Sequence, residues 1–227
     1  MARPPRIIIE GGIYHVFSRG VKQCNMFLEN ADRYDFLRLL KIAQEEYPFT
    51  LHKRSLMDNH YHLLIQPQAN TLSKIMHLVN STYGNRFNKR HQITGHVLQG
   101  RFHSIPVETD AYLTTVSRYI DLNAVRAGIV TRPEDYPWSS YRSTILGIPD
   151  AVGDPSFVLG YFGKDVDRQR EAYRRFVEDA IQKPEAITEK VLWRMRAWGN
   201  PWRRLSAGDQ MNEEASGPAP NGALILR

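Results

Sequence analysis

The stretch that most constrains this chain is Met57-Asp58-Asn59-His60-Tyr61-His62-Leu63-Leu64-Ile65-Gln66-Pro67. Three apolar residues follow His62 and a proline closes the run, the pattern of a short buried strand. Side chains alternate along a strand, so His60 and His62 share one face, roughly 6.5–7 Å apart, and Tyr61 points to the other. Phe49 to Met57 is also strand-like, and Asp58-Asn59 has turn chemistry, so the two runs are expected to pair as a hairpin. Two imidazoles on one face can converge on one ion or one phosphate. A site with only two histidine ligands is open, which suits catalysis better than a structural role. The same pattern also describes two polar residues on a half-exposed strand, and these residues alone leave both readings open.

The flanking segments give an element order. Gly11-Gly12 is a turn, and Ile13 to Ser18 reads as a first strand. A helix capped by Asn30 or Asp32 carries Tyr34, Phe36, Leu37, Leu40 and Ile42, and Pro48 stops it. A second helix, about 71–89, has Leu72, Ile75, Met76, Val79 and Tyr83 on its apolar face. A basic loop, 90–101, leads to a fourth strand, Phe102 to Val107. Asp110 then caps a third helix running to about Ala127, before Gly128. The order β-α-β-β-α-β is the ferredoxin-like arrangement, an α+β fold whose antiparallel sheet has helices on one face. This core is expected over 1–145, with a linker at 147–155, a helical extension over 146–205 that includes amphipathic helices near 167–182 and 185–198, and a disordered tail over 206–227.

Charge is unevenly placed. The net charge is +6. From Asn59 to Val107 there is no Asp or Glu, while Lys74, Arg86, Lys89, Arg90 and Arg101 fall in that window. An acid-free stretch beside a candidate metal site suits a polyanion, although a basic solvated face has the same composition. The single cysteine, Cys24, excludes an intrachain disulfide and makes a reducing cytoplasm the expected setting. No run reaches membrane-spanning length, and the N-terminal apolar run is too short for a signal peptide.

The third helix carries Tyr112, Arg118, Tyr119 and Asn123, and Tyr119 and Asn123 are neighbours at i, i+4. Laid beside the histidine strand, this helix would add a phenol and an amide oxygen to two imidazoles. Such a set serves transesterification at a phosphate, with a metal to offset oxygen charge and a tyrosine to attack. A tyrosine packed at the core edge would show the same spacing.

Several stretches together resemble the single-tyrosine transposases of the HUH type, particularly the REP-associated tyrosine transposases and their insertion-sequence relatives. They are Gly12-Ile13-Tyr14-His15-Val16, Leu56 to Leu64, Gln99-Gly100-Arg101-Phe102, Ser117 to Gly128, and Tyr136-Pro137-Trp138-Ser139-Ser140-Tyr141. The resemblance implies that His60 and His62 are metal ligands, with Asn123 at a position that often supplies a third. It implies that Tyr119 makes a 5′-phosphotyrosine link to single-stranded or hairpin DNA, and that the cofactor is magnesium or manganese. Arg86, Lys89, Arg90 and Arg101 are expected to contact DNA, and the protein to act as a monomer or homodimer. Asp58 and Ala124 stand where the family has proline, which removes no chemical group but sets a carboxylate near the histidines.

Two other readings compete. A relative that has lost its chemistry would bind structured DNA or RNA without cutting it, and the basic stretch needs no more than that. A histidine-dependent nucleotide hydrolase would want a third histidine on the strand, and position 64 is Leu.

Overall fold

The computed structural model describes residues 9–181. Strands β1 (Tyr14–Arg19), β2 (Phe49–Leu56), β3 (His60–Pro67) and β4 (His103–Pro106) form one antiparallel sheet in the order β2-β3-β1-β4. Helices α1 (Asn30–Glu46) and α2 (Leu72–His91) complete the ferredoxin-like core. Next come α3 (Asp110–Asp121), a one-turn α4 (Asn123–Arg126), α5 (Tyr141–Leu146), α6 (Ser156–Leu159) and α7 (Val166–Glu178). The expected 185–198 helix and the tail lie outside the described residues.

Strand alternation divides the interior in two. Tyr14 and Val16 of β1 and Tyr61, Leu63 and Ile65 of β3 face α1 and α2, packing on Phe36, Leu40, Ile75, Val79 and Tyr83. The alternate residues, Phe17 and Leu64, join Ile105 and face α3 through Tyr112, Leu113, Val116, Tyr119 and Ile120. Helices on one face therefore describes α1 and α2. The opposite face carries Phe17 and Leu64 and also needs cover, which α3 and the helices after it supply.

Helix α1 is capped ahead of both expected caps, Asn30 and Asp32. Glu29 is its cap, in a reciprocal capping box with Asp32. In α3 the cap is Thr109 rather than Asp110, its hydroxyl accepting from Tyr112 N–H at 3.2 Å. The third helix stops at Asp121, and Leu122 (φ −88°, ψ 1°) separates it from α4.

The segment that reads as a linker docks on the edge strand. Asp154 N–H donates to Leu51 C=O at 2.8 Å, Asp150 pairs with Arg54, and Val152 enters the core. Strand β2 bulges between Leu51 and Lys53. The extra residue reverses side-chain parity, so Leu51 and Leu56 both face α1 and α2 although five residues apart. Lys53 is thereby turned to the α3 side, where its ammonium meets Asp121 Oδ2 at 2.8 Å, both groups fully buried. Tyr173 of α7 donates to the same carboxylate oxygen at 2.5 Å. Strand β2, α3 and α7 are thus tied at one buried point. Among the described residues no helix is long and apolar enough to cross a membrane.

Candidate metal and tyrosine site

The histidine face of β3 is covered by α3, so the groups expected at the site meet within one chain. The rings of His60 and His62 lie 5.1 Å apart at 81°, and the ring of Tyr119 stands edge-on to His62 at 5.4 Å. All three side chains are buried.

The hydrogen bonds specify how each imidazole is presented. Asn59 donates its amide N–H to Gln23 C=O at 3.1 Å, which turns its Oδ1 toward His60 Nδ1 at 2.7 Å. An amide oxygen only accepts, so His60 carries its proton on Nδ1 and offers a lone pair at Nε2. That Nε2 faces Asn123 Oδ1 at 3.4 Å. Two acceptors then face one another, an arrangement that a cation between them relieves. At bonds of about 2.1 Å that separation subtends about 108° at a shared ion, wider than the 90° of adjacent octahedral ligands but within the reach of one cation. His62 Nδ1 lies 2.9 Å from His15 Nε2, while His62 Nε2 is buried and has no hydrogen-bond partner among the described residues. The donor set therefore fits a divalent metal held by His60, His62 and Asn123.

Burial keeps these rings neutral. It pushes His15 down to about 3 and His60 down to about 4. His62 is also held well below its ordinary value, by burial first and then by the two neighbouring histidines. Neutral imidazole is the form that binds metal.

Beside the histidines is a cleft lined by Phe17, Ser18, Arg19, His60, His62, Gln99 and His103. Gln99 of the basic 90–101 loop forms part of its wall. Gln99 N–H donates to Arg19 C=O at 2.8 Å, and Arg19 Nε donates to Gln99 Oε1 at 2.6 Å. The sequence reading missed His15, Arg19 and His103. A signal exists for the first, since His15 is a polar residue between Tyr14 and Val16, both of which are core. His103, stacked on Phe17 at 5.1 Å, had no such mark.

The expected DNA contacts are not equivalent. Arg86 pairs with Asp35 at 2.7 Å and Arg90 with Asp32 at 2.6 Å. The stretch lacks acids in sequence, but α1 supplies them in space, and both guanidinium charges are offset. Lys89 is exposed and joins no ion pair among the described residues, and Arg101 is exposed. Asp58 pairs with Arg33 of α1, away from the histidine face. A second convergent set, Glu29, Asp32 and His91, stands at the start of α1. There Asp32 already accepts from Leu28 N–H, Glu29 N–H and Arg90, so its carboxylate acts as cap and ion-pair partner.

Comparison with known proteins gives a family and a fold. A family model described as IS200-like transposase matches residues 10–123. A solved structure of a REP-associated tyrosine transposase bound to a REP hairpin is similar in fold, with a TM-score of 0.55 at 19% identity. The match covers 68% of this chain and 93% of that one. No curated protein matches the sequence.

Proposed function

Since the chain belongs to the IS200-like transposase family, we propose that it nicks and rejoins single-stranded or hairpin DNA through a covalent bond to Tyr119. The observation that carries this reading is the edge contact of Tyr119 with His62, 5.4 Å between rings, beside a donor set fit for a metal. His60, His62 and Asn123 would hold magnesium or manganese. When bound, the ion would offset negative charge on the scissile phosphate.

The residues then divide the work. Tyr119 Oη attacks phosphorus, the Oη–P bond forms, and the P–O3′ bond breaks. The phenol proton passes to solvent, and the departing 3′ oxygen takes up a proton to become a 3′-OH. Rejoining reverses the exchange, with a 3′-OH attacking phosphorus and Tyr119 leaving. Asn59 and His15 keep His60 and His62 turned to the site, so the geometry is set before DNA arrives. Lys89 and Arg101, exposed near the cleft's loop, suit backbone phosphates.

Tyr119 is fully buried in this state, so a phosphate reaches its oxygen only after local opening. That burial favours a second reading, a relative that binds structured nucleic acid without cutting it. Hairpin oligonucleotides with magnesium or manganese separate the two. A covalent adduct that EDTA abolishes supports the first; tight binding with no adduct in either metal supports the second.

A further inference from the structure

The short helix after the break at Leu122 carries two polar groups to the same region. Asn123 turns its amide oxygen to His60, and Arg126, one turn on, sets its guanidinium carbon 5.5 Å from the ring centre of Tyr119. Resting on the proposed tyrosine chemistry, we infer that Arg126 binds the scissile phosphate and holds it while it is bonded to Tyr119.

Three observations support this. First, Nε and Nη1 of Arg126 are buried and have no hydrogen-bond partner among the described residues. Buried donors without partners are uncommon, and a guanidinium with two unpartnered nitrogens has N–H groups to donate to phosphate oxygens. Second, burial lowers the basicity of Arg126, and the opposing influence on it comes from Tyr119, not from any carboxylate. Arg86 and Arg90 show what a cation looks like here when it is already occupied, since each has an aspartate. Third, the location is selective: a phosphate joined to Tyr119 brings its charge to the side chain that Arg126 already covers. Arg126 moves no proton in this role. It donates hydrogen bonds to non-bridging oxygens while the Oη–P bond forms and the P–O3′ bond breaks.

A packing role would also place a guanidinium over a tyrosine ring, through a cation–π contact. Charge on the substrate distinguishes the two. A hairpin with a methylphosphonate at the scissile position lacks the anionic oxygen that Arg126 would meet. On the ordinary phosphodiester, Arg126→Ala and Arg126→Met, the second of which preserves bulk over the ring, should slow adduct formation about 100-fold. Hairpin affinity and the melting temperature should stay near those of the parent. On the methylphosphonate the gap between parent and variants should close. An equal loss on both substrates, or no loss on either, overturns the inference and leaves Arg126 as a packing residue. Absence of an adduct from the parent protein on the phosphodiester is a different result, and it overturns the tyrosine chemistry itself.

Discussion

His15 Nε2 and His62 Nδ1 lie 2.9 Å apart, a buried pair formed between adjacent strands. For His62 to offer its Nε2 lone pair, Nδ1 must carry the proton and donate it to His15. In that tautomer His15 accepts through Nε2 and supports the form of His62 that a metal requires. His15→Phe preserves an aromatic ring and deletes the acceptor. It should weaken manganese binding about 10- to 100-fold, the usual effect of losing such a partner. Isothermal titration with manganese measures this, and unchanged affinity would remove His15 from the site's support.

The buried Lys53–Asp121 pair joins β2 to the helix of Tyr119. Removing one partner strands the other charge in the interior, so Lys53→Met or Asp121→Leu should each cost about 3–5 kcal/mol. The double substitution should recover most of that, because both charges leave together. Urea unfolding of the four proteins reads the coupling, and additive losses would show that the pair does not act as a unit.

The basic segment makes a prediction about salt. Lys89→Ala should flatten the dependence of hairpin affinity on salt by about one unit in log–log slope. Arg90→Ala should flatten it less, because Asp32 already offsets that charge. Equal slopes for both variants would mean that Arg90 leaves Asp32 when DNA binds.

Asp32 predicts a pH dependence. Its burial alone would raise its pKa, but hydrogen bonds from His91, Arg90 and the backbone N–H groups of Leu28 and Glu29 prevail and lower it. The stabilisation is present above the unfolded carboxylate value of about 3.9 and is lost as pH falls through the lowered folded value. Asp32→Asn should therefore destabilise the protein at neutral pH and show a smaller further loss on acidification. Parallel stability curves for parent and variant between neutral and strongly acidic pH would contradict this.

Much of the site could be read from residue spacing. Two-residue alternation placed His60 and His62 together, a local rule that survives folding. Asn123 reaches His60 from α4, across the break at Leu122 that the expected continuous helix did not include. What could not be read depended on distant partners or on an irregularity. The bulge at His52 reverses the parity of β2, so no regular pattern would send Lys53 to Asp121. Arg86 and Arg90 look free in sequence because their aspartates lie about 50–60 residues earlier, on α1. The 147–155 segment has linker composition, yet its backbone bonds to an edge strand that had donors and acceptors to satisfy.

The central claim is that Tyr119 is the nucleophile of a metal-dependent strand transfer. Its most direct test is a denaturing gel of protein incubated with hairpins from the DNA flanking its own gene, with magnesium or manganese. The parent should form a covalent adduct, and both Tyr119→Phe and His60→Ala should abolish it, with binding retained in the tyrosine variant. An adduct that survives Tyr119→Phe would contradict the account and move the chemistry to another tyrosine, Tyr112 or Tyr83.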